Sequence, residues 1–295
     1  MNFKKSLFWI SSYPKSGNTW VRLILCGLYF TENGNIESFN ILKKIPKFDT
    51  LSNFKFIKQI SENDYRKIFN DDEYNEESFL TYSKYWIEAQ KRLKIIDGDF
   101  SFFKTHNARV KINNSYYTNS LTTKGFIYIS RDPRDIVLSY SNYMNKDIDF
   151  TINFLINGQL MGKEKKDGLM PEFLLSWKDH YKSWKNFSDV PNLFLKYEDL
   201  LNDTEKELKK IIIFFKKNFN IEISNEKKKI KNIIESTNFN KLKKIEKKYG
   251  FFEKSNLSEF FRKGEKNQWQ KKLSKGQINA INNSFENTLF KLKYY

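Results

Sequence analysis

Four short apolar runs, Leu7–Ser12, Phe100–Phe103, Phe126–Ser130 and Leu193–Leu195, punctuate an otherwise mixed chain. They carry few or no polar interruptions, the pattern of strands buried on both faces of a parallel sheet. Behind each run comes a polar cluster: Lys15-Ser16-Gly17, Lys104-Thr105-His106, Arg131-Asp132, and Lys196-Tyr197-Glu198-Asp199. Open α/β sheets bind ligands beyond the carboxyl ends of their strands, so the pattern marks a site as well as a fold. Helical periodicity follows the first and third runs. Asn18 and Thr19 are placed to cap a helix through Trp20, Leu23, Ile24 and Leu28. Asp132 and Pro133 read as an N-cap and first helical position, ahead of an apolar face of Ile136, Val137, Tyr140, Tyr143 and Met144. Lys-rich helices from Asp203 to Lys248 bury Leu208, Ile211, Ile212 and Phe215.

Two stretches lack a sustained period: Glu32–Lys94, and Asn145–Pro171 with Gly158, Gly162 and Gly168. They suit acceptor pockets and lids, or plain surface packing. With no internal repeat and no linker, residues 1–295 read as a single α/β domain, a central parallel sheet flanked by helices.

Composition narrows the class. The 295 residues are 39% apolar and include 28 Phe, 16 Tyr and 6 Trp, ample for a sizeable core and against wholesale disorder. The single Cys26 permits no internal disulfide and suits a reducing, cytoplasmic compartment. Inside the apolar run Trp20–Phe30 it is expected to be a buried, inert thiol. The Ser6–Ile10 run after Lys4 and Lys5 is too short for a secretory h-region. No stretch nears the ~20 apolar residues of a membrane span.

Formal net charge is +17, and Leu201–Lys275 alone holds 21 Lys+Arg against 10 Asp+Glu, a local excess of +11. Such a field attracts nucleotides, acidic glycans, membrane surfaces or nucleic acid. The same Lys/Asn/Ile-rich usage fills segments with no other signal, so most of the charge reads as solvated helix faces. No nucleic-acid partner is expected.

The most specific segment is Ser12-Tyr13-Pro14-Lys15-Ser16-Gly17-Asn18-Thr19-Trp20, between a strand and a helix. A loop in that setting aims backbone N–H groups and the helix's positive end at a phosphate. Gly17 allows close backbone approach, Lys15 supplies a point charge, and Ser16, Asn18 and Thr19 supply donors. The G-x-x-x-x-G-K-[ST] spacing of a Walker A loop is absent. The segment resembles the 5′-phosphosulfate loop, Y-P-K-S-G-T-T-W, of sulfotransferases that use 3′-phosphoadenosine-5′-phosphosulfate (PAPS), particularly their soluble cytosolic-type members. Asn18 in place of Thr is the one departure.

Two further motifs extend the resemblance. Arg131-Asp132-Pro133-Arg134-Asp135 through Ser139 is similar to the family's 3′-phosphate motif, R-[ND]-P-x-D-x-x-x-S. An Arg fork with a hydroxyl donor is good phosphate chemistry. Phe260-Phe261-Arg262-Lys263-Gly264, with Trp269 beyond, resembles F-x-R-K-G-x-x-G-D-W, with Asn267-Gln268 in place of G-D. Shorter echoes are Tyr197 in K-Y-E-D-L and Thr237-Asn238-Phe239. The likeness spans nearly the whole chain and implies a P-loop-NTPase-like sulfotransferase fold. It also implies roles for single residues. Lys15, Ser16, Gly17, Asn18 and Thr19 would cradle the phosphosulfate. Arg131, Ser139, Arg262, Lys263 and the Gly264 amide would hold the 3′-phosphate. Trp20, Tyr197, Asn238, Phe239 and Phe260 would face the base.

Phe103-Lys104-Thr105-His106 resembles the family's K-[ST]-H strand end. A neutral imidazole near its unperturbed pKa can take a proton from an acceptor hydroxyl. His106 is therefore the expected general base, with Lys104 adding charge beside the transferring group. His180, the other histidine, is a candidate for the acceptor pocket. The resemblance implies in-line sulfuryl transfer with Lys15 stabilising the leaving phosphate and 3′,5′-ADP as product, and no metal. It leaves the acceptor open among phenols, alcohols, amines and sugars. It leaves the oligomeric state open too, since the family's dimer motif is poorly matched near Lys271–Asn279. The alternative is a P-loop-type nucleotide or small-molecule kinase. A non-enzymatic binder of acidic polymers is a second alternative, suggested by charge alone.

Overall fold

The structure, a computed structural model, describes residues 7–93, 100–112, 114–158, 160–161, 168–254 and 259–295. Lys4, Lys5, Ser6, Lys94 and Gly162 lie outside them. In chain order the first elements are β1 (Leu7–Ser12), α1 (Asn18–Tyr29), α2 (Ile57–Ile60), α3 (Glu62–Phe69), α4 (Glu76–Ser83) and α5 (Trp86–Arg92). Next come β2 (Ser101–Thr105), β3 (Lys111–Ile112), β4 (Ser115–Tyr116), β5 (Thr123–Ser130), α6 (Pro133–Met144) and α7 (Ile148–Asn157). They are followed by β6 (Leu160–Met161), β7 (Glu172–Phe173), α8 (Trp177–Lys185), β8 (Asn192–Lys196) and α9 (Tyr197–Asn202). The tail is helical: α10 (Thr204–Phe219), α11 (Glu226–Ser236), α12 (Phe239–Tyr249), α13 (Trp269–Lys272) and α14 (Lys275–Lys291).

This is an α/β fold built on a parallel sheet of strand order β2-β1-β5-β8. The apolar runs become its strands because each can bury nearly every side chain. All six residues of β1 are buried, and so are seven of the eight in β5. At ~1.5–3 kcal/mol for each large apolar side chain fully buried, strand β1 alone anchors the sheet through Leu7, Phe8, Trp9 and Ile10. Edge strand β8 departs from expectation: Leu195 is its one fully buried side chain. The pairing of β1 with β2 runs from Leu7↔Ser101 to Ser11↔Thr105, so the next step along each strand sets Ser12 beside His106.

By contacts the chain divides into two compact units. One comprises Met1–Tyr13, Pro46–Tyr128 and Asn157–Asn192; the other comprises Pro14–Ile45, Ile129–Ile156 and Leu193–Tyr295. In the first, short helices α2 to α5 and a 3₁₀ turn occupy residues 46–93 of the stretch that lacked a sequence period, packing aromatics such as Phe54, Tyr82 and Trp86 edge to face. In the second, α1 packs on α11, and α10 buries Leu208, Ile211, Ile212 and Phe215 as its periodicity indicates. Cys26 is fully buried in α1, where burial pushes its thiol up to about 12. Among the described residues no helix is long and apolar enough to cross a membrane.

Candidate active site

In the second unit the loop from Pro14 to Gly17 winds through two left-handed residues, Lys15 (φ 65°) and Gly17 (φ 98°). Gly17 is also the N-cap of α1, which corrects the expectation that Asn18 and Thr19 cap it; both lie inside the first turn and are buried. The left-handed turn at Gly17 brings the chain into the helix before a side chain can cap it. A Cβ on Gly17 would lie 2.7 Å from Cδ2 of Tyr197, so the tyrosine ring packs where only a glycine fits.

Arg131, at the end of β5, ties this loop to the C-terminal segment. Its Nη1 donates to the carbonyl of Lys15 (3.0 Å) and its Nη2 to that of Glu265 (3.1 Å), while the guanidinium lies 4.3 Å from the centre of the Tyr197 ring. The Lys15 ammonium sits 4.1 Å from the Phe260 ring centre and 4.6 Å from that of Tyr143. Trp20 meets Tyr197 edge to face at 5.9 Å and donates its indole N–H to Thr237 Oγ1 (3.3 Å). Gly264 (φ 67°) lies against Phe239, where a Cβ would approach within 2.1 Å of Cδ2. Segments 14–20, 131–143, 197, 237–239 and 260–265 thus share one neighbourhood.

Buried carboxylates hold that neighbourhood together. Asp135 accepts the backbone N–H of Asn267 at Oδ2 (2.6 Å) and of Trp269 at Oδ1 (3.2 Å). Burial pushes the Asp135 carboxyl up, opposed by Arg131 and these two amides. Asn267 sits at φ 60°, so this bonding fixes the loop where Asn267-Gln268 replaces the family's Gly-Asp. Glu246 accepts the N–H groups of Phe260 (2.8 Å) and Phe261 (2.9 Å), and Glu198 accepts that of Asp132 (3.0 Å). Asp132 caps α6 as expected, its side chain accepting from the N–H of Arg134 (2.9 Å).

In the first unit His106 directly follows β2. Its Nδ1 lies 2.8 Å from the backbone oxygen of Ser12 and 3.3 Å from Ser12 Oγ. A carbonyl only accepts, so Nδ1 carries the proton and Nε2 keeps its lone pair. The His106 amide donates to Glu172 Oε1 (2.8 Å), and Glu172 Oε2 is paired with the Lys47 ammonium (2.8 Å). Burial pushes the Glu172 carboxyl up, but Lys47 and His106 outweigh it and leave the group lowered. Burial, seconded by the charge of Lys104, drives the His106 imidazole down to about 3; Glu172 and the Ser12 carbonyl oppose this. The expectation of a near-unperturbed pKa is corrected: His106 is neutral because it is desolvated.

Asp49, fully buried, accepts from Thr105 Oγ1 (3.0 Å) and Asn107 Nδ2 (2.9 Å), the neighbours of His106 on either side. It also accepts from the hydroxyls of Tyr82 (3.1 Å) and Tyr117 (3.0 Å). Burial and the charge of Glu172 push its carboxyl up to about 7, against Lys47, Thr105 and Tyr117.

Comparison with known proteins decides the family: residues 5–293 match the sulfotransferase domain. The chain belongs to the sulfotransferase family. It is therefore a transferase. It is 24% identical to rabbit (Oryctolagus cuniculus) amine sulfotransferase over 97% of this chain and 82% of that one. It is 28% identical to rat (Rattus norvegicus) sulfotransferase 1A1, over 95% and 83%. Among solved structures, retinol dehydratase in complex with androsterone and the inactive cofactor PAP superposes with a TM-score of 0.60 at 20% identity, over 97% of this chain and 81% of that one. Mouse sulfotransferase SULT7A1 complexed with PAP gives 0.54 at 17%, over 97% and 85%. The sulfotransferase fold is thereby established.

Set beside this sulfotransferase framework, most of the expected site residues fall into the two groups described. Lys15, Ser16, Gly17, Asn18, Thr19, Trp20, Arg131, Tyr197, Phe239, Phe260 and Gly264 lie in the second unit's cluster, with Ser139 half-buried on α6, Arg262 half-buried and Lys263 exposed. His106 and Lys104 lie in the first unit. Two of the expected residues have their side chains engaged within the protein. Asn238 is exposed, and its side chain is spent on capping α12 (Lys241 N–H, 2.9 Å) and on the Glu235 carbonyl (2.5 Å). His180 is fully buried, with both ring nitrogens bonded within the protein. The buried carboxylates Asp49, Asp135, Glu172, Glu198 and Glu246 were given no role from sequence; of them, Asp135 and Glu198 fall inside quoted motifs.

Proposed function

We propose that this sulfotransferase moves a sulfuryl group from PAPS to a hydroxyl or amine of a small-molecule or sugar acceptor and releases 3′,5′-ADP. The observation that carries the reading is the convergence of three distant motifs around buried donors that lack an internal partner. Ser16 Oγ and Arg131 Nε are both buried and have no hydrogen-bond partner among the described residues. A buried unpaired donor costs about 1–3 kcal/mol, and a phosphate oxygen answers that cost. The residues present fit a bisphosphorylated adenosine: hydroxyls and amides for one phosphate group, Arg131, Arg262 and Lys263 for the other, and Trp20, Tyr197, Phe239 and Phe260 for the base. The PAP bound in retinol dehydratase and in mouse SULT7A1 agrees with this assignment.

Bound PAPS supplies an activated sulfuryl group. Lys15 leaves its aromatic seat to offset charge developing on the leaving phosphate, a preorganised electrostatic contribution. The lone pair of His106 Nε2 takes the acceptor's proton, and Lys104 adds positive charge beside the reacting group. The bound forms of the structural neighbours, androsterone and retinol, are small apolar alcohols, and the amine relative widens the acceptor class to nitrogen. A cytoplasmic setting suits the single buried thiol.

The test is transfer from ³⁵S-labelled PAPS to a panel of 2-naphthol, benzyl alcohol, benzylamine and N-acetylglucosamine. Lys15→Met lowers kcat and kcat/KM together, as for an interaction made in the transition state. His106→Ala lowers turnover by roughly 10²–10⁴-fold with 3′,5′-ADP affinity unchanged. Absence of transfer to every acceptor, alongside phosphoryl transfer from ATP, refutes the reading in favour of the kinase.

A further inference from the structure

His180 is the chain's only other histidine, and its surroundings assign it a task. Its Nε2 lies 3.0 Å from the backbone oxygen of His106, so Nε2 carries the proton and donates it. Its Nδ1 is then the acceptor of the Tyr128 hydroxyl at 2.9 Å. That hydroxyl is in turn engaged by the backbone of Tyr13, and the Tyr13 ring packs edge-on against His180 at 5.4 Å. Every polar atom of the imidazole has one role only, and the ring is fully buried.

Helix α8 repeats the device one turn later. The indole N–H of Trp184 donates to the backbone oxygen of Asn107 (3.0 Å), and Ser183 Oγ accepts the N–H of Arg109 (2.9 Å). Residues four apart share a helix face, so His180 and Trp184 hold two consecutive carbonyls. On the other side of the same residue, Glu172 holds the His106 N–H (2.8 Å). The backbone of His106 is therefore fixed at both its donor and its acceptor while the imidazole is aimed by Ser12. Resting on the reading of His106 as the general base, we propose that His180 is its positioning residue: Tyr128 locks His180 in the Nε2–H tautomer, and that N–H fixes the backbone that presents His106 in the opposite, Nδ1–H tautomer.

Two histidines in the whole chain make the proposal readable in one spectrum. Long-range ¹H–¹⁵N correlation on ¹⁵N-histidine-labelled full-length protein at neutral pH shows one ring protonated at Nε2 and the other at Nδ1, assigned with His180→Gln. His180→Phe keeps the ring's bulk but removes the donor. It mixes the His106 tautomer signals and lowers kcat about tenfold with KM for PAPS unchanged, measured on the best acceptor of the panel. His180→Gln, which retains an N–H donor, restores most of both. Tyr128→Phe, milder for folding, mixes the His180 tautomers first. Two rings in the same tautomer, or a charged His180, overturn the proposal, as does wild-type kcat in folded His180→Phe when His106→Ala is inactive. Wild-type turnover in His106→Ala overturns the base reading itself and this proposal with it. A purely structural role lowers the melting temperature of His180→Phe and leaves the His106 ring signals and kcat unmoved.

Discussion

Asp135→Asn probes the link between the second and third nucleotide motifs, which lie more than 120 residues apart in sequence. The carboxylate receives two backbone amides, Asn267 N–H at 2.6 Å and Trp269 N–H at 3.2 Å. Asparagine is isosteric but can accept at one position only; its NH₂ faces the second amide, donor against donor. Leaving a buried donor unsatisfied costs about 1–3 kcal/mol. At 1.4 kcal/mol per factor of ten, that is about a 5- to 150-fold loss wherever the ordered loop is needed. The loop carries Phe260, Arg262, Lys263 and Gly264, so the loss falls on 3′,5′-ADP binding, read by isothermal calorimetry at neutral pH. A ligand-free melting curve on the same variant separates loss of the loop from loss of the fold. An affinity within twofold of wild type, in a folded variant, refutes the argument that Asp135 organises the nucleotide site.

Gly17→Ala meets Tyr197 Cδ2 at 2.7 Å and takes an unfavourable φ of 98°, a strain of about 1–3 kcal/mol. It lowers the melting temperature and 3′,5′-ADP affinity together, and unchanged values in both contradict the packing described. The pH dependence of stability follows from three buried groups. His106 and His180 fall to about 3 and about 4, from burial first, so between pH 5 and 6 each stays neutral when folded and is mostly protonated when unfolded. Stability is full above about 6.5 and is lost as pH falls through that window. Asp49, raised to about 7, holds a proton when folded that the unfolded chain has released, so its contribution is lost as pH rises and it offsets one histidine. Asp49→Asn therefore steepens the acid-side loss in urea melts by about one proton, or ~1.4 kcal/mol per pH unit; an unchanged slope contradicts the assignment. Cys26, buried with its thiol raised to about 12, reacts with a thiol reagent only after unfolding, and rapid labelling of the native protein is the contrary result.

The sheet was legible because buried parallel strands leave continuous apolar runs: β1 spans the expected residues, and β2, β5 and β8 differ by three residues or fewer at either end. The polar clusters behind those runs were legible for the same reason, as were the Asp132 cap and the buried face of α10. Backbone-led features were less so. The helix start at Gly17 depends on a left-handed φ that Asn18 and Thr19 do not announce. Asp49, Glu172 and Glu246 bond amides or side chains at least 14 residues away, and no local pattern records such a partner. The lowered pKa of His106 is not legible in the K-T-H strand end, because burial and the charge of Lys104 set it. The amphipathic pattern around His180 likewise does not reveal that its ring nitrogens face Tyr128 and the backbone of His106.

The claim that this sulfotransferase uses a 3′-phosphorylated nucleotide is tested most directly by calorimetric titration of the wild-type chain with 3′,5′-ADP, 5′-ADP and ATP with Mg²⁺ under identical salt. Loss of one partner from a buried, hydrogen-bonded charge pair costs about 2–5 kcal/mol. The account therefore expects 3′,5′-ADP to bind at least about tenfold more tightly than 5′-ADP, with Arg131→Ala closing the gap and Mg²⁺ changing little. Binding of ATP with Mg²⁺ as tight as that of 3′,5′-ADP contradicts it and assigns the cradle to phosphoryl transfer instead.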